Sequence, residues 1–456
     1  MTAEFPHARR AHAVRDALPP GGLFAGQTWR VAPEPFPLSA PLLRELENLG
    51  RVLLQFYRAV NTLYRRSADG RAPDWIATLL DQGKPAALIA LQRDPAFRQD
   101  VPRVIRPDIL LTEEGFVISE LDSVPGGIGL TQWLNEAYSD LSPEVPDVVG
   151  GREGMRDGFA SIFRSGARVH LVVSEESAAY RPEMEWLARG WPGGGCEVRD
   201  ANFTGFGDGD AVYRFFELFD LSNVPSAGRL FELARAGRIQ VTPPPKPVFE
   251  EKLLFALLWN RNLHDFWRQE LGDAFFRRLR AHVPRTWLLD PSPLPPSAGY
   301  PGLELTDWRQ LKGLSQRERE LILKVSGFHA DAWGARSVHL GSDLNTADWS
   351  AAVEHALTAW PATPHILQRF HRPRIVESAW FDFERNLLQP MPGRVRLCPY
   401  YFVPGDLDTA RPRLGGVLAT IVPADKKIVH GMKDGILAPC CEGPAARPAE
   451  ALPIGL

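Results

Sequence analysis

The stretch RPDILLTEEGFVISELDSVPGGI at 106–128 sets one arginine and three acids, Arg106, Asp108, Glu120 and Asp122, among apolar neighbours. Its centre, Glu113-Glu114-Gly115, reads as a three-residue hairpin loop whose glycine can take φ > 0, which makes Thr112 and Phe116 the flanking pair. That register places Asp108 opposite Glu120 and Arg106 opposite Asp122, all on one face, because side chains alternate with period two. Two carboxylates about 4 Å apart repel by roughly 4 kcal/mol at an effective dielectric near 20, so the patch calls for a proton, a cation or deep solvation. A solvated hairpin face carrying an Arg106–Asp122 ion pair is the structural alternative. Pro125-Gly126-Gly127 reads as a turn beside the patch.

Lysine is scarce, eight of 52 basic residues, so a lysine inside an apolar run is informative. LILKVSGFHADAWGARSVHLG at 321–341 buries Lys324 in such a run and follows it with glycines at 327, 334 and 341. An ammonium enclosed in a strand costs several kcal/mol unless it meets an anion, about 2–7 kcal/mol for polar groups generally. Phosphate is one such anion, and glycine-rich loops let backbone N–H groups approach it. The glycine spacing fits neither GxGxxG nor GxxxxGK[ST], which excludes a Rossmann dinucleotide site and a P-loop. A strand-edge lysine that snorkels to water is the alternative for Lys324. PHILQRF at 364–370 reads as a short buried strand breaking into polar residues. Arg394, Arg396, Lys426 and Lys427 offer a possible basic face where a substrate carboxylate could meet an arginine fork, or else a solvated charge run.

Several elements must position these groups. Leu42, Leu46, Leu49, Leu53, Phe56, Val60 and Leu63 recur at spacings of four and three, the apolar stripe of a long amphipathic helix and a core face. RVHLVVS at 168–174 reads as a buried parallel strand, and PEMEWLARGW, opened by Pro182, as the helix after it. AVYRFFELFD at 211–220 is a second strand with an acidic exit, and TPPPKP at 242–247 a stiff connector. EKLLFALLWNRNL at 251–263 has a helical pattern, and DPSPLPPSAGYPG at 290–302 reads as an irregular loop. Alternating helices and strands make this an α/β chain with α+β elements.

At 456 residues the chain is expected to form two or three packed units. A net charge of −3 and a pI near 6.4 argue against nucleic acid or an anionic membrane as partner, and favour small molecules. No apolar leader or membrane-length run is present, so a cytoplasmic protein is expected. Cys196, Cys398, Cys440 and Cys441 include no CxxC pair and are expected to be reduced thiols.

The order of these parts resembles the circularly permuted ATP-grasp enzymes, of which the glutathionylspermidine synthetase group is the best-known relative. The parts are RPD, Glu120 twelve residues after Asp108, Asp122, Lys252 opening a helix, Lys324 ending a strand, and LQRF at 367–370. The resemblance is strongest over 104–131 and 246–440. It implies an ATP-grasp fold in circularly permuted order behind a mainly helical region, 1–100. A metal-binding hairpin would then occupy 101–150, an α/β domain 151–245 and nucleotide-binding subdomains 246–456.

The resemblance further implies ATP and Mg²⁺ as cofactors, with Asp108, Glu120 and Asp122 as metal ligands and Arg106 contacting the transferred phosphoryl group. Lys252 and Lys324 would bind ATP, Gln368 and Arg369 would form the adenine hinge, and Gly334, Arg336 and Ser337 would contribute a lid. The implied activity is ADP-forming ligation of a small carboxylate to an amine through an acyl phosphate. An ATP-dependent phosphotransferase and a non-catalytic nucleotide-binding remnant are the alternatives. Relatives usually place asparagine where this chain has Asp122, and the polyamine and glutathione specificity of the group is not carried over.

Overall fold

A computed structural model describes residues 4–19, 29–122, 124–141, 145–296, 298–332, 336–407, 409–429 and 434–444, which form a mixed assembly of helices and several sheets. The apolar stripe folds as the helix Ala40–Ala68, started by Ser39, whose side chain accepts the Leu42 amide at 3.4 Å. Leu46, Leu49, Leu53, Phe56, Val60 and Leu63 are buried against the central sheet. Gly50 lets that sheet come close, since a Cβ there would lie 2.5 Å from the Tyr401 ring. Among the described residues no helix is long and apolar enough to cross a membrane.

Seven strands form the central sheet. Across it run Phe36–Leu38, Ile436–Glu442, Arg413–Pro423, Gly393–Phe402, Val104–Thr112 and Gly115–Asp122, with Ile375–Val376 beside the start of Gly393–Phe402. The first pair is parallel and the remaining neighbours are antiparallel. The N-terminal region is thus not purely helical, because Phe36–Leu38 joins a strand formed some 400 residues later in the chain.

The acidic hairpin differs from the expected one in an informative way. Thr112 pairs with Gly115, so the loop is Glu113-Glu114 alone, and from the loop as far as Ile109↔Ile118 the register is one residue off expectation. The register then shifts between Asp108 and Ile109, where Ser119 is the extra residue and its Oγ donates to the Asp108 carbonyl at 3.1 Å. The bulge restores Asp108↔Glu120 and Arg106↔Asp122. Without it, Glu120 would face Pro107 and the acids would divide between the two faces.

A four-stranded antiparallel sheet runs His339–Leu340, Leu321–Val325, His365–Arg369 and Thr286–Leu288. A parallel sheet runs Cys196–Arg199, Val169–Val173, Ala211–Phe215 and Gln240–Thr242, with the helix Arg181–Arg189 carrying Pro182 in its first turn. The proline stretch that follows is buried from 241 to 249. Lys246 Nζ there reaches Asn61 Oδ1 at 2.9 Å and the Asp100 carbonyl at 2.8 Å, so this connector is packed against the long helix and the segment after it. The helix expected over 251–263 is interrupted. Leu254–Trp259 ends at Asn260, whose side chain turns to cap the short 3-10 turn Arg261–Leu263, a local competition typical of asparagine.

Candidate active site

The acidic end of the hairpin, the turn behind it and segments that follow strands of the two four-stranded sheets line a cleft of about 260 Å³. Arg106 lines it. Its guanidinium is 2.8 Å from Asp122 Oδ2 and 3.4 Å from Asp108 Oδ1, and it donates to the Gly126 carbonyl at 3.1 Å. Arg396 reaches Asp108 Oδ2 at 3.0 Å. This contact follows from register: Arg396 pairs with Leu110 on the neighbouring strand, so Asp108 is its diagonal neighbour on the same face. Lys252 Nζ meets Glu120 Oε1 at 2.9 Å and donates to the Ala332 carbonyl at 2.6 Å.

The carboxylate problem posed by the hairpin is therefore solved with the chain's own cations, each acid meeting at least one. Burial opposes charge on Arg106, yet Asp108 and Asp122 hold it well above its ordinary range. Burial likewise disfavours a charged Lys252, but Glu120 outweighs it and the ammonium is held above its usual value. Asp122 is raised, chiefly by burial, with Arg106 opposing and Glu120 and Asp108 adding to the rise. Burial lowers Lys324. Arg106 and Arg396 each keep a buried Nε with no hydrogen-bond partner, which leaves unused donors beside the acids.

The sequence-derived candidates are not all brought together. Arg106, Asp108, Glu120, Asp122, Lys252, Lys324 and Ser337 line the cleft. Ser337 Oγ also accepts the Val325 amide at 3.1 Å. Arg336 instead pairs with Glu176 at 2.7 Å, and Gly334 lies outside the described residues. Gln368 and Arg369 do not reach the cleft. The Gln368 amide is buried, accepting from Lys324 Nζ at 3.1 Å and donating to Thr286 Oγ1 at 3.2 Å. Arg369 donates to the Gly302 carbonyl at 3.2 Å, and its backbone amide bonds Arg285.

The basic face proposed for the C-terminal strands does not form. Arg394 turns to the Pro373 and Ala424 carbonyls and Lys427 to Asp343, and of these four residues Arg396 is the one that lines the cleft. All four cysteines are free and buried, and burial pushes Cys398 up to about 12 and Cys441 to about 11, which opposes thiolate chemistry.

Sequence reasoning missed part of the wall. Glu217 and Glu250 line the cleft, and burial together with Glu250 and Asp122 raises Glu217 well above the carboxylate range. Glu217 was foreshadowed by the acidic exit of its strand. Glu250 pairs with the buried Arg214 at 2.6 Å, an arrangement no local pattern announces. Gly126 packs where a Cβ would stand 2.3 Å from the Tyr180 ring, and the next helix, Ile128–Ser139, is capped by Glu183, whose oxygens accept the Gly127 and Leu130 amides at 2.8 and 2.9 Å.

Among the described residues, no three of His, Cys, Asp and Glu converge as a ready-made metal cage. The all-oxygen donor set still fits Mg²⁺, which characteristically takes one or two carboxylates and completes its shell with water and phosphate. Glu120, the most exposed of the three acids at 34% of its side chain, and Asp122 beside it are the accessible oxygen donors.

The sequence matches no protein-family model and no curated protein. In three dimensions it is similar to a glutathione synthetase-like effector from Globodera pallida in its apo form. The TM-score is 0.51 at 10% identity, covering 97% of this chain and 98% of that one. The likeness is one of fold. A protein provisionally named gamma-glutamylcysteine synthetase, from Methylobacillus flagellatus KT, is similar at TM-score 0.33 and 13% identity over 83% of this chain and 86% of that one, too loosely to bear on the fold.

Proposed function

We propose that the chain is an ATP-dependent carboxylate–amine ligase, an ATP-grasp enzyme in circularly permuted order that forms an amide with release of ADP and phosphate. The observation that carries this reading is one cleft in which Arg106, Arg396, Lys252 and Lys324 face Asp108, Glu120 and Asp122. The two arginines keep unused donors there. Likeness over nearly the whole length to a glutathione synthetase-like protein supports the fold that this reading requires.

A carboxylate is a poor electrophile, and transfer of a phosphoryl group to it creates an acyl phosphate that an amine can attack, with phosphate as leaving group. Lys252 and Lys324, which both line the cleft, are assigned to the nucleotide phosphates, where each ammonium would neutralise charge that builds during transfer. Arg106 and Arg396 are assigned to the transferred group and the substrate carboxylate, for which the guanidinium fork is suited. Glu120 and Asp122, with Asp108 behind them, would hold Mg²⁺, which supplies Lewis-acid polarisation of the phosphates when bound. Phe328, Ala332 and Val338 form an apolar side to the cleft that excludes the water competing for an acyl phosphate. Burial and the neighbouring Glu250 raise Glu217 well above its ordinary range, which disfavours a further negative charge in the wall.

The test is a coupled assay for ADP with a panel of amino acids, small peptides and polyamines. ADP and phosphate release that requires both a carboxylate and an amine, with amide product by mass spectrometry, is expected. A stable phosphorylated product, or release indifferent to amine, overturns the ligase assignment.

A further inference from the structure

A second and larger cavity, about 840 Å³, opens at the edge strand Thr286–Leu288 of the four-stranded sheet, away from the acids. Its volume lies within the roughly 300–1,000 Å³ usual for small-molecule sites. Its walls are aromatic and cationic. The Arg280 guanidinium stacks 4.3 Å from the Trp259 ring centroid, and Arg285 lies 5.4 Å from Trp259 and 5.8 Å from Trp287. Tyr300 stacks on Trp308 at 3.6 Å and 20°, adding a second flat surface. Arg261 stands exposed at the rim.

This cavity gathers positive charge without an acid to meet it. Arginine–acid pairs occur elsewhere in the chain, as at Arg214–Glu250, Arg278–Glu45 and Arg156–Glu136. Arg261, Arg280 and Arg285 make no ion pair among the described residues. Burial lowers Arg285, and the charges that act on it, those of Arg280, Arg369 and Arg261, are all positive and lower it further. Arginines converging on a concave site with aromatic faces and no acid beside them gain most from an anion.

We infer that this cavity is a binding site for a small planar molecule bearing a carboxylate or phosphate, its ring laid against Trp259, Trp287 and Tyr300 and its anionic group held by Arg280 and Arg285. A small molecule is favoured over a protein partner because the site is concave and of ligand size. Carboxylate and phosphate share the chemistry that arginine recognises, and the probes separate them.

Isothermal titration calorimetry on the full chain would use 2-naphthoate, 1-naphthyl phosphate, the neutral 2-naphthalenemethanol and inorganic phosphate. Saturable binding of one or both naphthyl anions is expected, at least about tenfold tighter than the neutral analogue or phosphate alone. Arg280→Gln and Arg285→Gln should each weaken it about tenfold, whereas Asp108→Asn in the other cleft should leave it unchanged. If an interior variant unfolds, Arg261→Ala at the exposed rim takes its place and should weaken binding severalfold. The inference is overturned if neither naphthyl anion binds, if the neutral compound binds equally well, or if the arginine variants bind like the wild type.

Discussion

Lys84 and Glu251 test how Lys252 is positioned. Their charged atoms are 2.5 Å apart, and each side chain is 1% exposed. The other Glu251 oxygen accepts from Ser326 Oγ, which itself accepts the Leu253 amide at 2.9 Å, while the Lys252 amide donates to the Ser326 carbonyl at 2.9 Å. One buried cluster thereby joins the N-terminal helical region, the backbone on both sides of Lys252 and the segment that follows the Lys324 strand. Lys84→Met leaves the Glu251 carboxylate enclosed without a cation. Attraction across 2.5 Å is roughly 6–7 kcal/mol at an effective dielectric near 20, and breaking such a buried pair costs about 3–5 kcal/mol once solvation is included.

Urea unfolding of Lys84→Met should show a loss of about 3–5 kcal/mol, and Lys84→Met/Glu251→Gln should recover most of it by removing both charges. The KM for ATP should rise in the single variant, because the uncompensated Glu251 carboxylate disturbs the Ser326 contacts that hold the backbone on both sides of Lys252. A single variant within about 1 kcal/mol of wild type, or a double variant whose loss equals the sum of the two single losses, would refute the reasoning.

Other perturbations address the site directly. Asp108→Asn and Glu120→Gln should abolish Mg·ATP turnover with unchanged circular dichroism, and a wild-type rate in either would remove it from the metal-binding set. Lys324→Met should shrink the thermal shift produced by Mg·ATP, and an undiminished shift would count against phosphate binding by this lysine. Burial raises Glu183 to about 7 in the fold from 4.5, so between those values the folded state holds a proton that the unfolded state has lost. Stability from this group should therefore fall as pH rises through that window, by up to about 1.4 kcal/mol per pH unit, and level off above it. Glu183→Gln should flatten that slope in unfolding midpoints measured from pH 4.5 to 8. Gly126→Ala drives a Cβ against the Tyr180 ring and displaces the carbonyl that holds Arg106, so kcat should drop alongside a loss of about 1–3 kcal/mol. Unchanged kinetics would show that the turn does not position Arg106.

The parts of the site that could be read from sequence were those written in local periodicity. Alternation within one hairpin was enough to place Arg106, Asp108, Glu120 and Asp122 on one face. It succeeded despite a wrong loop, because the bulge at Ser119 cancels the one-residue error before the acids are reached. A bulge has no signature in residue type here, since serine is unremarkable in a strand, and its function is visible only as a pairing shift. The long helix was legible for the same reason, its stripe having one period and one partner surface. The interrupted helix after Lys252 was not, because Asn260 trades a helical hydrogen bond for a side-chain cap, a choice that periodicity averages away.

What remained hidden was long-range. Arg396 reaches Asp108 across 288 residues of chain, and Glu250 enters the cleft wall through its pair with Arg214. These contacts supply the charge balance that the hairpin alone lacked. An isolated reading of three acids and one arginine calls for an external cation, whereas the folded chain delivers Arg396 and Lys252 to the same acids. An incoming metal must therefore compete with existing ion pairs, and it can do so only if it brings negative charge to the displaced cations. Mg²⁺ bound together with nucleotide phosphates would meet that condition, because Lys252 and Arg106 could turn to the phosphates while Glu120 and Asp122 would hold the metal. Free Mg²⁺ does not. Metal binding at this cleft should thus be strongly coupled to ATP, so that calorimetry with Mg²⁺ alone gives weak heats and the same titration with ATP present gives tight binding. Tight binding of the free ion would mean that the acids are less committed to their protein partners than the geometry indicates.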